Sequence, residues 1–412
     1  MKTLILTIFL VSSLALFSQG IPDQYLVTAA ENNPELKARF NEYLAALEAV
    51  PQAKSLPDPR LAFGYFIQPV ETRLGPQQAR ISLDQMFPWF GQLKASGDAA
   101  IEKAKARYEV FMETRSRLYF EVTSAYCDLY LSQKAVEITM ENIGILNIFR
   151  SLSLSKVEAG LASTVDQLRI EMEIADMENQ LALLQDKVVY QSVAFNNLLN
   201  VETASAILFP DTLGNAILAI PQHVIIDSVL ANNHSLSRLD YELTASQQQE
   251  IAARKMGAPS INLGVDYIFI GKSDNPNLDA GMSGKDAIIF PRIGITLPLY
   301  RKKYNAMVQQ AVYQQQAVTS QKEARVNALE TLVEQALNEY RDAERRRVLY
   351  NNQESLAVQA MDILRTEYAT DNRDFEEVLR MEKRVLKYAL ELERARADLH
   401  AAAAFLGYLT GK

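Results

Sequence analysis

Cysteine is nearly absent from this chain. Of 412 residues only Cys127 carries a thiol, so no intrachain disulfide can form. Its setting, Tyr126-Cys127-Asp128-Leu129, is helical in pattern, and there a cysteine acts as a small packed side chain rather than a reactive group. The three histidines, His223, His234 and His400, are scattered, and none lies four residues from another as a zinc pair would. There is no glycine-rich phosphate loop, and serine, histidine and aspartate occur only as isolated residues. The chain therefore gives no sign of enzyme chemistry, of a metal site or of a cofactor. Beyond the N-terminal stretch no apolar run approaches the length of about 20 residues that a spanning helix needs, and the mean hydropathy is −0.09, which excludes a polytopic helical membrane protein. A net charge of −8 without a dense basic patch argues against nucleic acid as a partner. Proline is missing from Trp89 to Phe209, and both glycine and proline are missing from Leu299 to Leu406. Those gaps leave long stretches with nothing to break a helix.

What is present begins with a secretory signal. Lys2 gives the positive start, Leu4 to Phe17 the apolar stretch, and Ser18-Gln19-Gly20 the small residues of a cleavage site, so the mature chain is expected to start at Ile21. No cysteine follows the signal, so no N-terminal lipid anchor is expected. The rest of the chain repeats itself. Asn32-Asn33, Leu36, Pro59 and Gly64 recur 200 positions on, as Asn232-Asn233, Leu236, Pro259 and Gly264. At an offset of 210, Pro88, Phe90, Ala159, Phe195 and Leu199 recur as Pro298, Tyr300, Ala369, Phe405 and Leu409.

Each repeat reads as a short helix, a strand pair and two long helices. The first spans about 21–205, with strands about 60–69 and 79–87 and long helices about 89–155 and 162–200. A linker of about 206–223 leads to a second repeat, about 224–412, with strands about 260–270 and 287–297 and helices about 299–368 and 374–407. The helices carry coiled-coil spacing. Ile170, Ile174, Met177, Leu181, Leu184 and Val188 step by four and three, as do Met381, Val385, Tyr388, Leu392, Ala395 and Leu399. The strands instead alternate. Ile261, Leu263, Val265, Tyr267 and Phe269 interleave with Asn262, Gly264 and Asp266, which puts apolar groups on one face and polar groups on the other. That suits a membrane barrel around water, and equally an amphipathic hairpin capping a soluble coiled coil. Four strands cannot close a channel, and open edges are not tolerated in lipid. Three copies would supply a 12-stranded β-barrel, and their four long helices each an α-helical barrel. The fold class expected is thus mainly α with a small β part. Phe63, Tyr65, Trp89, Tyr267, Phe290 and Tyr300 are candidates for an interfacial aromatic girdle. The loops Pro69–Ala79 and Gly271–Asp286 are candidates for the outer face. Arg345-Arg346-Arg347 reads as a solvated helix face or an interhelix ion-pair donor.

Several pieces resemble the TolC family of outer-membrane efflux proteins. They are Leu56-Pro57-Asp58-Pro59, Gln85-Met86-Phe87-Pro88-Trp89-Phe90-Gly91 and Ala159-Gly160-Leu161-Ala162-Ser163-Thr164-Val165-Asp166. Leu56–Gly91 is most similar to outer-membrane subunits of the heavy-metal efflux (CusC/CzcC-like) type. The resemblance implies a homotrimer in outer-membrane lipid with a long periplasmic extension. It would be a passive exit duct, served by a periplasmic adaptor and an inner-membrane transporter of the RND type, for metal cations or small toxic compounds. It implies adaptor docking at the helical tips, Gly160, Leu161, Ala162 and Ser163 in one repeat and Asp371 and Asn372 in the other. It places a periplasmic gate at Asp166 and Glu376. The family's linking arginine falls on Asn372, with Arg373 beside it, and its second acidic ring on Leu379. A periplasmic adaptor, or an exported coiled-coil scaffold without a pore, is the competing expectation.

Overall fold

The computed structural model describes residues 21–412 apart from 161, 217, 219–220, 222–223, 274–283, 285–288 and 371–374. The expected signal peptide, His223, most of the Gly271–Asp286 loop and the tip residues Leu161, Asp371, Asn372 and Arg373 lie outside the described residues.

The order of elements repeats. The first half runs α1 (Asp23–Asn32), α2 (Pro34–Lys54), β1 (Arg60–Thr72), β2 (Gly75–Phe87), α3 (Gln92–Glu158) and α4 (Thr164–Leu199). The second runs α5 (Ile225–Asn232), α6 (His234–Met256), β3 (Ser260–Ile270), β4 (Ile289–Thr296), α7 (Arg301–Thr370) and α8 (Phe375–Leu409). The single short helix expected at the head of each repeat is in fact two, because an asparagine interrupts it. Asn33 and Asn233 end α1 and α5, and their backbone N–H groups still bond back to Ala29 and Val229, each at 2.9 Å. Their side-chain amides donate to the carbonyls of Leu198 at 3.2 Å and Leu409 at 2.9 Å. Each asparagine thus satisfies a carbonyl that the end of the fourth helix would otherwise leave unpaired.

Two compact units emerge. One comprises Met1–Arg39, Phe111–His234 and Arg325–Lys412, the other Phe40–Val110 and Ser235–Ala324. α3 and α7, of 67 and 70 residues, contribute to both. In the helical unit the spacing read from sequence is the buried stripe. Every member of the Ile170–Val188 and Met381–Leu399 series is buried or half-buried, while Met172, Leu183 and Val189 beside them face outward. One core gathers Tyr25, Leu118, Val122, Tyr126, Leu129, Tyr130, Phe195 and Leu199, and a second gathers Leu146, Phe149, Ile170, Ile174, Tyr368 and Phe375. Arg346 pairs with Asp342 at 2.7 Å and with Asp398 of α8 at 2.8 Å, so the triple-arginine run includes an interhelix donor.

The segment joining the repeats is strapped to this unit by ring polar atoms. Leu208 N–H donates to Tyr25 Oη, and Tyr126 Oη donates to Leu208 O, both at 2.9 Å. Leu213 N–H donates to Tyr130 Oη at 3.3 Å, and Tyr340 Oη donates to Ala216 O at 2.9 Å. His400 Nε2 lies 2.8 Å from Gly214 O. A loop with no ladder of its own thereby finds partners for its backbone, as buried backbone must.

In the other unit the four strands form one antiparallel sheet in the order β1-β2-β3-β4. The join between β2 and β3 fuses the two repeats. The outer loop expected over Pro69–Ala79 is not there. The strands continue through it, pairing Val70 with Gln77, Glu71 with Pro76 and Thr72 with Gly75, and leave only Arg73 and Leu74 at the turn. A bulge between Tyr65 and Val70 absorbs the break in alternation at Phe66. Gly75 takes φ +134°, and a Cβ there would fall 1.9 Å from the Gly271 carbonyl oxygen, so the tight return requires glycine.

Cys127 is 1% exposed, and burial pushes its thiol well above the ordinary range. It is expected to stay unmodified by an aromatic disulfide reagent at pH 8 in the native protein and to react fully in denaturant. Prompt native reaction would contradict the packing described.

Candidate pore-lining sheet and hairpin ends

Paired residues of an antiparallel ladder share a face, so the register sorts the sheet into rows. On one face lie Phe63, Ile81 and Tyr267 in one row and Leu61, Leu83, Val265 and Pro291 in the next. These side chains are open to the surroundings. Phe63 and Tyr65 are each 71% exposed and Ile293 75%. On the other face lie Arg60, Asp84, Gly264 and Arg292, then Ala62, Ser82, Asp266 and Phe290. The sheet is inverted relative to a soluble protein. Its apolar side chains face out, while Ser82 and Asp266 are among its most buried residues.

Arg292 organises the polar face. Its guanidinium lies 2.6 Å from Asp84 Oδ1, two strands away, and 3.5 Å from Asp266 Oδ1. It can reach β2 because Gly264 stands between, where a Cβ would come within 2.4 Å of Asp84 and 3.1 Å of Arg292. The motif pieces flanking the sheet also meet, since Gln85 Nε2 donates to Pro57 O at 2.8 Å.

The register divides the proposed aromatic girdle. Phe63, Tyr65 and Tyr267 lie on the apolar face, and Trp89 and Tyr300 are exposed just beyond the strands. Phe290 does not join them. It stands opposite Asp266 and, two residues before Arg292 in an alternating strand, belongs to the polar face.

At the far ends of the long helices, Gly160 follows α3 with φ +71°, the left-handed value that lets the chain turn out of a helix. Ser163 caps α4, its hydroxyl accepting from Val165 N–H at 3.2 Å. Ala162 lies between them, half-buried. Asp166 and Glu376, in the first turns of α4 and α8, come together on Arg169, whose Nη1 is 3.8 Å from Asp166 Oδ1 and 3.4 Å from Glu376 Oε2. Sequence reading singled out both carboxylates and missed the arginine, which lies one helical turn after Asp166 and was legible as an i,i+3 partner. It also missed Lys156, whose ammonium donates to the Tyr368 carbonyl and sits 4.3 Å from that ring, and the Lys383–Glu173 pair at 2.6 Å. Deeper along α8, Glu382 is 2% exposed and accepts from Asn142 Nδ2 at 2.7 Å. Burial raises its carboxyl to about 7, against the opposing pull of Arg365 and with the support of Glu141.

Among the described residues no group of histidine, cysteine, aspartate and glutamate is placed to hold a metal ion, and no helix is long and apolar enough to cross a membrane.

Comparison with known proteins agrees with this geometry. Residues 25–201, essentially the first repeat, match the family model for outer membrane efflux proteins. No curated protein matches the sequence. Among solved structures, CusC aligns with a TM-score of 0.79 at 16% identity, covering 97% of this chain and 95% of that one. The outer membrane protein VceC of Vibrio cholerae aligns at 0.77 and 17% identity, covering 94% and 95%. The outer-membrane channel OprN aligns at 0.76 and 18%, covering 95% and 90%. The chain has the fold of outer-membrane channel proteins, and its first repeat carries the sequence pattern of the efflux family.

The Glu382 carboxyl sits higher in the native state than its ordinary value of 4.5, so the folded state holds a proton that the unfolded chain releases. Stability is expected to fall as pH rises from 4.5 through about 7 and to level off above. Glu382→Gln keeps the acceptor for Asn142 and should flatten that part of the profile of melting temperature against pH. A variant profile with the wild-type slope would remove Glu382 from the effect.

Proposed function

We propose that the protein is the outer-membrane exit duct of a tripartite efflux system and works as a homotrimer. It is a passive conduit rather than an enzyme, seated in the outer membrane with a long periplasmic helical extension. The observation that carries this reading is the inverted sheet. Its exposed apolar face suits lipid, its polar face suits water, and its outer strands β1 and β4 are each paired on one side only among the described residues. Three such sheets, joined edge to edge, give twelve strands and one closed barrel. A periplasmic adaptor or a poreless scaffold would have no use for a sheet of this polarity.

The finer points follow from the resemblance and the tip geometry together. The adaptor would dock at the hairpin ends around Gly160, Leu161, Ala162 and Ser163, and around Asp371 and Asn372. An inner-membrane transporter of the RND type would supply energy and most of the substrate choice. Similarity of Leu56–Gly91 to the heavy-metal type supports metal cations or small toxic compounds as cargo. The gate comprises Asp166 and Glu376 with Arg373 nearby in sequence, and Arg169 is added to it. In this arrangement Arg169 both neutralises the carboxylates and ties the first turn of α4 to that of α8.

In planar bilayers the purified trimer is expected to conduct. Arg169→Ala should raise both conductance and cation preference, because the tie is lost and the carboxylates are bared, whereas Glu376→Gln should lower cation preference. Wild-type conductance and selectivity in both variants would dismiss these residues as the gate.

A further inference from the structure

The polar face of the sheet carries a charge pattern separate from the hairpin ends. Over the rows that the register pairs, five charged side chains share that face: Arg60 on β1, Arg80 and Asp84 on β2, Asp266 on β3 and Arg292 on β4. Arginine outnumbers aspartate by three to two. Ala62, Ser82, Gly264 and Gly294 around Arg292 are small and leave its guanidinium above a thin floor, while Ile268 and Phe290 are bulky members of the same face. Arg60 and Arg80 are exposed. The two aspartates, by contrast, are engaged with Arg292, and Asp266 is 4% exposed. The negative charges are therefore drawn down to the floor while positive charge stays at the surface.

We propose that Arg60, Arg80 and Arg292 form a positively charged belt on the inner wall of the barrel, which favours solutes bearing carboxylate, phosphate or another anionic group. The inference rests on the reading of this sheet as one third of a barrel, where the polar face becomes the lumen. Threefold repetition would place nine guanidinium groups around the pore against six carboxylates. Rings of charged side chains set ion preference in pores, and arginine rings favour anions. Asp84 and Asp266 are positioning residues here. They hold Arg292 flat across Gly264 and so fix where its charge is presented.

The test is the reversal potential of the purified trimer in a planar bilayer under a potassium chloride gradient. Arg80→Gln removes an exposed charge outside the Asp84–Asp266–Arg292 cluster and should leave assembly intact. Arg292→Gln removes the central charge, and it bares Asp266 and could cost assembly. The anion-to-cation permeability ratio is expected to fall by about twofold for each variant that assembles. Permeability ratios equal to wild type in Arg80→Gln, with normal conductance, would overturn the belt whatever Arg292→Gln does. A wild-type protein that forms trimers but never conducts would instead overturn the barrel reading, which separates the two failures.

Discussion

The proposed duct depends first on the hydrogen-bonding demand of a strand edge placed in hydrocarbon. β1 is 13 residues long, so its outer side presents on the order of a dozen N–H and C=O groups, and each costs several kcal/mol if left unpaired away from water. That sum exceeds the whole folding stability of an ordinary domain, about 5–15 kcal/mol. A four-stranded sheet with an outward apolar face therefore cannot serve as a lone unit in lipid. It becomes stable only when the edges of β1 and β4 meet partners. The two-fold internal repeat brings each chain to four strands, and in the proposed homotrimer self-association supplies the rest.

The helical part is built on a different principle, coiled-coil packing of apolar stripes. Its buried stripes of Ile170 to Val188 and Met381 to Leu399 follow coiled-coil spacing, and its polar strap of Tyr25, Tyr126, Tyr130, Tyr340 and His400 secures the chain between the repeats. Hydrogen bonds of this kind contribute about 1 kcal/mol apiece. Together they matter less as stabilisation than as positioning, since they hold an irregular segment against helices that would otherwise expose buried backbone. The outgoing and returning helices then end at turns set by Gly160 and Ser163. Beside the apolar core of Phe149, Ile170, Tyr368 and Phe375, ion pairs through Arg169 also join those ends, a form of attachment that water and salt can loosen.

Much of this was legible in the residue order. Alternation from Ile261 to Phe269 identified β3 to the residue, and the absence of helix breakers identified α3 and α7, because both signals are local and periodic. What escaped was set by pairing between distant segments. Pro69 to Ala79 is polar and turn-rich and so read as a loop, until Val70 and Thr72 found Gln77 and Gly75 across the turn. Phe290 was grouped with the other aromatics by residue type, although its spacing from Arg292 and Gly294 puts it on the polar face. Arg292 is not marked out by the residue order, since nothing in one dimension shows that Gly264 opens a path from β4 to Asp84. Arg169 was missed for the opposite reason. The positions that the family resemblance supplies do not include it, and its partner Glu376 on α8 is more than 200 residues away.

The most direct measurement is disulfide trapping between β1 and β4. Cysteine pairs, one on each strand, would be scanned along the two edges of the full-length protein in native outer membranes, with buried Cys127 as a silent background. The account calls for a covalent dimer and trimer ladder at one consistent register, formed between chains. Absence of interchain products at every register, with the protein folded and present, would contradict it.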